Sequence, residues 1–374
     1  MTTDMDSLRH QLQAKIDHLN KPLGSLGRLE QIAMQIGLVQ HTLEPELRHP
    51  VHLLFGGDHG IEREGVSLSP RCVTWQQMVN FTRGGGGVNM FCRQHGFELH
   101  VVDVGVDHDL SGVEGIVHRK VARGTANFLH QPALTPEQME AAMTVGRDMA
   151  SLAAAEGCNV LSIGEMGIAN TSPSSIWMSV LLGLPLEQCV GAGAGLSSEG
   201  VSHKLRVLQQ SIDRWQNTVQ GVRHHHAGCE PSPCRETLVT MQGASPHTAA
   251  PARLATELMR EFGGLEMVAA VGAMLRAEEL GMVVLVDGFI MTACALVARS
   301  LHPSFMDCAI FGHCGDESGH RLMLRAMGAQ PLLSLGLRLG EGTGALCAYP
   351  IVESAVRMLR EMGNFTDNHI TKYF

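Results

Sequence analysis

With 374 residues, 44% of them hydrophobic and 17% charged, the chain is long enough to bury a sizeable core in one or two domains. Its 28 Lys and Arg against 37 Asp and Glu give a net charge of −9, which argues against the basic face of a nucleic-acid binder. The acidic start Met1-Thr2-Thr3-Asp4-Met5-Asp6 lacks the apolar centre of a signal peptide, and the most apolar later stretch, Met282 to Ala298, is broken by Asp287-Gly288. Ten scattered cysteines, mostly flanked by apolar residues, read as reduced core thiols of a cytoplasmic protein.

The first forty or so residues are helical in pattern, with a turn at Lys21–Gly27 that restarts a helix carrying Leu29, Ile32, Ala33, Ile36 and Val39 at helical spacing. Val51 to Phe55 is an apolar run entering Gly56-Gly57-Asp58-His59-Gly60, a strand leading to a glycine-rich loop. In that loop Asp58 and His59 could form a dyad, but an aspartate capping its own turn is the plainer account. A helix is predicted over Val73 to His95, broken at Arg83-Gly84-Gly85-Gly86-Gly87, and a strand over Leu99 to Val104. Thr135, Pro136 and Gln138 supply a cap, a first-turn proline and a capping-box partner for a helix running to about Glu156.

Asn159 to Ile163 reads as a strand that enters Gly164-Glu165-Met166-Gly167-Ile168-Ala169-Asn170-Thr171 before another helix. The loop Gly191–Gly195 precedes Lys204. A helix over Leu265 to Leu280 is followed by strands at Met282 to Val286, at about Cys308 to Phe311, and within Pro331 to Leu337. Strand, glycine turn and helix in repetition imply a parallel, Rossmann-like α/β sheet with helices on both faces. Residues 46–344 would form that large domain, and helices from 1–45 and 345–374 a small one, with Val352, Ala355, Met358 and Leu359 facing Ile32 and Ile36. From Gln216 to Pro251 periodicity is lost and His224-His225-His226, Cys229, Cys234 and His247 accumulate. This segment reads as an insertion. Its alternative is a transition-metal site, although the spacing matches no structural zinc pattern.

Two carboxylates stand out by position. Glu341 lies in Arg338-Leu339-Gly340-Glu341-Gly342-Thr343-Gly344, where glycine turns can aim it into a cleft and burial can raise its pKa toward that of a useful base. A surface turn with an exposed glutamate is the alternative. Glu165 ends a strand just before a helix. The turn Gly167, Ile168, Ala169, Asn170 and Thr171 opens that helix, whose free N–H groups would favour an anion, with Lys204 as the opposite charge.

Six stretches in order resemble the nicotinate-nucleotide:dimethylbenzimidazole phosphoribosyltransferase family: Lys21–Glu30; Asp58-His59-Gly60 with Glu64-Gly65-Val66 and Ser69-Pro70; Asp103–Val106; Gly164–Thr171; Asp287-Gly288-Phe289; and Arg338–Gly344. The resemblance runs from about residue 15 to 365 and is interrupted mainly by 216–251. It implies transfer of the phosphoribosyl group of nicotinate mononucleotide to 5,6-dimethylbenzimidazole with inversion at C1′, giving α-ribazole 5′-phosphate for the cobamide lower ligand. It makes Glu341 the general base and places Glu165 near the base pocket as a catalytic or structural second acid. Ser69, Gln77, Met166 and Leu339 would line that pocket, and the phosphate would lie at Gly167–Thr171 and Lys204. The donor's pyridinium leaving group needs no metal and no cofactor. A homodimer and small-molecule partners, with neither nucleic acid nor membrane, complete the expectation.

Purine- or phenol-using transferases remain alternatives, as does a metal-responsive binding protein using the histidine-rich segment. A dinucleotide-dependent oxidoreductase fits less well: Gly193-Ala194-Gly195-Leu196-Ser197-Ser198 has two of three fingerprint glycines and no acid about twenty residues on.

Overall fold

The computed structural model describes residues 2–193, 195–225 and 249–371. The elements are α1 Thr2–His18, α2 Arg28–Val39, β1 Val51–Gly57, α3 Cys72–Thr82, α4 Gly87–His95, β2 Glu98–Gly105, β3 Ile116–His118, α5 Pro136–Ala155, β4 Val160–Met166, α6 Thr171–Leu182 and α7 Ser198–His225. They continue with α8 Ala249–Phe262, α9 Leu265–Glu279, β5 Val283–Val286, α10 Phe289–Leu301, α11 Phe305–Cys308, β6 Ala309–Phe311, α12 His320–Met327 and α13 Thr343–Glu361.

All pairings among these strands are parallel, in the order β3-β2-β1-β4-β5-β6. The order reverses between β1 and β4, which opens a crevice at their carboxyl ends where such sheets bind ligands. The central strands β1, β4 and β5 are buried on both faces. Leu53, Phe55, Val102, Leu161, Ile163 and Val284 face a layer containing α5, α6, α8, α9 and α10. Leu54, Val101, Val160, Val283, Leu285 and Ile310 face the other, containing α2, α4 and α13. Both-sided burial explains why β1 is apolar at Val51, Leu53, Leu54 and Phe55 rather than alternating, with His52 as its one polar side chain.

α5 starts on the expected box: Gln138 N–H donates to Thr135 Oγ1 at 3.2 Å, and Thr135 N–H donates to Gln138 Oε1 at 2.9 Å. It crosses α9 at very close range. A methyl on Gly146 would stand 1.8 Å from the Ala269 carbonyl oxygen, and one on Gly272 would stand 2.2 Å from that of Met143. Any larger residue would push the α5–α9 layer off the sheet.

The two chain ends meet. Ile32, Ile36, Val352, Ala355, Met358 and Leu359 share one buried cluster, and Asn20 N–H donates to the Gly363 carbonyl at 2.9 Å. This cluster also contains residues of the sheet, so the terminal helices form its second covering layer.

Two expected features differ. Pro331–Leu337 forms no regular strand: Leu332 N–H donates to the Phe311 carbonyl at 3.0 Å and Leu333 pairs with His313 in an isolated bridge before the chain turns away at Gly336, with φ of 67°. The sequence from Gln216 onward does not leave the helix at once, because α7 continues to His225 and keeps Val207, Leu208, Ile212 and Trp215 buried. Trp215 Nε1–H donates to Glu257 Oε1 at 2.8 Å, pinning α7 to α8. Of the candidate metal ligands, His226, Cys229, Cys234 and His247 lie outside the described residues.

Candidate active site

A cavity of about 180 Å³ lies at the carboxyl ends of β4, β5 and β6. Its lining brings together Glu165, Met166, Gly167, Ile168, Ala169, Asn170, Thr171, Leu339 and Glu341 of the expected site, and adds Asp287, His313 and Glu317. Ser69 and Gln77 are not among the lining residues, and the Gln77 amide oxygen is occupied by Asn80 Nδ2–H at 3.0 Å. A larger groove, about 1100 Å³, runs along α2 at the opposite, amino ends of β5 and β6. Its buried acid, Glu30, is already neutralised by Lys21 at 2.8 Å. The smaller cavity is the better candidate, because two of its acids, Glu165 and Glu341, have raised pKa values.

Glu341 is 7% exposed and sits in a left-handed turn, with φ of 84°, 62° and 80° at Gly340, Glu341 and Gly342. A non-glycine residue in that region costs roughly 1–3 kcal/mol and persists only where surrounding structure enforces it. The enforcing groups are visible. Val88 N–H, at the start of α4, donates to Glu341 Oε2 at 3.1 Å. The glycine run that breaks the predicted 73–95 helix thus delivers a helix N-terminus to the carboxylate. Burial pushes the Glu341 pKa up; the Val88 and Gly87 N–H groups oppose this, and the Asp287 charge adds to it, leaving it raised.

Glu165, also 7% exposed, lies against the same turn: a methyl on Gly340 would meet its Oε1 at 2.6 Å. Asn170 is at the N-cap of α6, but its side chain donates to Glu165 Oε2 instead of capping the helix. Burial raises the Glu165 pKa to about 8 against the Asn170 hydrogen bond, with Glu266, Asp287 and Glu341 adding repulsion. Asp287 is the fixed anion of the group. Burial would raise it, but His313 and the Ala345 and Gly288 N–H groups hold it below the usual carboxylate range. His313 Nε2 lies 3.4 Å from Asp287 Oδ1, and Ala345 N–H donates to that oxygen at 3.0 Å.

Lys204 is not among the lining residues either: it has no exposed surface and lies behind the lining residue Thr171, donating from Nζ to Thr171 Oγ1 at 2.7 Å. Burial lowers its pKa to about 8, with Glu317 pulling it back up. The turn itself offers fewer free donors than its sequence implies. Ile168 N–H donates to Thr74 Oγ1 at 3.2 Å and Asn170 N–H to the Gly167 carbonyl at 3.2 Å. Ala169 holds a left-handed φ of 77°. Asp58 does not cap its own turn: its Oδ2 accepts from Asp107 N–H at 2.8 Å, because the parallel pairing sets the tips of β1 and β2 side by side. His59 Nε2 instead pairs with Glu266 Oε1 at 2.6 Å beneath Gly167.

Sequence reasoning missed Asp287, His313 and the α4 N-terminus as parts of this site. Asp287 carried a signal, an acid followed by glycine after an apolar strand; His313 carried none. The Gly193 loop follows no strand, so the dinucleotide fingerprint lacks its structural context. Among the described residues, one group of three could share an ion, Glu98, His100 and Glu156, and it lies at the start of β2, away from the cavity.

A phosphoribosyltransferase family model matches residues 2–230 and 235–370. The chain belongs to that family. It is 53% identical over 374 residues to the nicotinate-nucleotide–dimethylbenzimidazole phosphoribosyltransferase of a Bacteroides fragilis strain, covering 100% of this chain and 99% of the relative. The enzyme of that name from Phocaeicola vulgatus is 54% identical over 369 residues, covering 99% and 97%. The crystal structure of CobT from Thermus thermophilus superposes with a TM-score of 0.85 at 36% identity, covering 98% of this chain and 100% of that one. Within the 216–251 segment the phosphoribosyltransferase match leaves out only residues 231–234.

Proposed function

We propose that this phosphoribosyltransferase moves the 5-phosphoribosyl group of nicotinate mononucleotide to 5,6-dimethylbenzimidazole or a related lower-ligand base, releasing nicotinate and α-ribazole 5′-phosphate in cobalamin nucleotide-loop assembly. The observation that carries the reading is the buried Glu341 carboxylate, held at the start of α4 and opening on a cavity shared with Glu165. One ring nitrogen of the base attacks C1′ as the bond from C1′ to the pyridinium nitrogen breaks. The leaving electron pair neutralises the pyridinium, and the proton of the azole N–H passes to Glu341. Attack from the face opposite nicotinate inverts the centre.

Met166 and Leu339 serve as apolar walls for the base, and the phosphate lies against the Thr171–Lys204 pair. Glu165, with its pKa near 8, stays protonated in the neutral range and limits the negative charge beside Glu341. The cavity is smaller than the roughly 300–1,000 Å³ usual for a small-molecule site. Two substrates therefore extend past its mouth, which is how a base could reach Ser69 and Gln77. Purines and phenols are the competing acceptors. They differ in which atom must lose a proton, not in the donor chemistry.

No helix among the described residues is long and apolar enough to cross a membrane. A cytoplasmic homodimer fits the reading, and light scattering would show twice 40.3 kDa. The deciding experiment incubates the protein with nicotinate mononucleotide and dimethylbenzimidazole and follows α-ribazole phosphate by mass. Absence of that product, with and without other azoles and phenols, would overturn the assignment.

A further inference from the structure

α4 opens on Gly86, an N-cap with no side chain to offer the free N–H groups of the first turn. Packing excludes a side chain there, since a methyl on Gly86 would stand 2.4 Å from a ring carbon of Phe81. The Val88 N–H is therefore left for a partner outside the helix, and Glu341 Oε2 takes it at 3.1 Å. What holds the glycine run in that place is the buried side chain of Asn89. Its Oδ1 accepts from Gly86 N–H at 2.8 Å, and its Nδ2–H donates to the Phe81 carbonyl, in the last turn of α3, at 2.8 Å. A donor on one side and an acceptor on the other fix which way the amide points.

α3 also holds another part of the cavity lining: its Thr74 Oγ1 accepts from Ile168 N–H at 3.2 Å. The same helix thus supports the Gly167–Thr171 turn directly and, through Asn89, the helix end that meets Glu341. We infer that Asn89 is a positioning residue: by tying the start of α4 to the last turn of α3, it sets the Val88 N–H against the Glu341 carboxylate and fixes where that carboxylate points in the cavity. The inference rests on the reading of Glu341 as the base. Asn89 is not among the residues lining the cavity and acts only through the first turn of α4.

The test compares Asn89→Ala, which removes both bonds, with Cys92→Ala, which loosens the buried face of α4 further along and leaves its first turn alone. Wild type, Glu341→Gln and the Asn89→Ala, Glu341→Gln double variant run alongside. Each is measured for kcat and its pH dependence, KM for nicotinate mononucleotide, and thermal midpoint. Asn89→Ala should lose about tenfold to hundredfold in kcat at neutral pH, as a misplacement near 1 Å would cause, at unchanged KM. Its acidic limb should move up by about one pH unit, because the carboxylate loses an N–H donor that favours its charged form. The other titratable groups around the Glu341 turn are Glu165 on β4, Asp287 after β5, His52 on β1 and His313 after β6, and this variant changes none of them. In the Glu341→Gln background the same change should cost less than about twofold, since no base is left to misplace. Cys92→Ala should lower the thermal midpoint and leave the limb where it is.

A folded Asn89→Ala protein with wild-type kcat and an unmoved limb would overturn the inference, as would an equal loss of rate in the Glu341→Gln background. If Asn89→Ala does not fold, Asn89→Ser takes its place, being neutral and too short to bridge both partners. A limb moved upward at constant KM then supports the assignment, and an unmoved limb with full kcat removes it. If Glu341→Gln keeps wild-type turnover, the base itself has been misassigned. A dead Glu341→Gln beside a fully active Asn89→Ala removes only the role of Asn89.

Discussion

Lys204 donates to the Thr171 hydroxyl across 2.7 Å, from a side chain with no exposed surface and, among the described residues, no carboxylate in salt-bridge range. A lysine so placed is destabilising until an anion arrives. Lys204→Met should raise KM for nicotinate mononucleotide about tenfold to hundredfold, from the roughly 1.5–3 kcal/mol a charged hydrogen bond contributes. The same change should not lower the thermal midpoint. Because the folded pKa of about 8 lies below the ordinary 10.5, wild type gains stability as pH rises between those values. Any advantage of the variant therefore shrinks over that window, which unfolding curves at several pH values will show.

Glu341→Gln keeps the shape of the base but removes its proton acceptance. Turnover should fall by roughly 10²- to 10⁴-fold, the usual contribution of a positioned base. The wild-type rate should rise with pH through a midpoint above the ordinary 4.5 of a glutamate, because burial raises this group. That acidic limb should vanish in the variant, while binding of nicotinate mononucleotide changes little. A variant that retains the limb would place the base elsewhere.

Glu165→Gln separates the two acids. We expect a smaller loss of rate than at Glu341, with affinity for the base affected as much as turnover. Stability gives an independent reading. The folded protein holds the Glu165 proton up to about pH 8 while the unfolded chain releases it near 4.5, so this group lowers stability as pH rises through that interval. The glutamine variant lacks that loss, and its advantage over wild type should grow across the interval and then level off. Chemical denaturation at pH 5, 7 and 9 would reveal a flat difference if Glu165 were an ordinary carboxylate.

Replacing residues 226–248 with a Gly/Ser linker of equal length should leave turnover largely intact. α7 and α8 are joined independently through Trp215 to Glu257 and Arg214 to Glu261, and the described cavity wall is built from other elements. Chelators should likewise leave turnover unchanged. Loss of activity on either treatment would revive a role for the cysteines and histidines of that segment.

The sheet was legible because its central strands are buried on both faces and end in glycine turns, as at Phe55–Gly57 and Ile163–Glu165. Three-residue β3 was too short to register, and Pro331–Leu337 had strand composition but pairs only briefly beside the end of β6, around Leu332 and Leu333. Glu341 and Glu165 were found because both sit at strand- or turn-to-helix junctions, where local sequence says something about direction. What surrounds them was not local. Val88 reaches Glu341 across 253 positions and His59 reaches Glu266 across 207. The Gly84–Gly87 run was visible as a break, but nothing within it tells which acid its helix end would receive.

α13 begins two residues after Glu341, and its apolar face is clasped by α2, with the chain's opening turns tied to residues 363 and 365. Glu341 is thus mounted on one end of a rod whose bearing is made from the first forty residues of the sequence. A cut in the linker between α1 and α2, or loss of the opening helices, would loosen that bearing far from any substrate. Copies with an intact cavity but a damaged amino-terminal segment are expected to turn over more slowly than intact ones, which comparing the rates of intact and amino-terminally clipped protein will show.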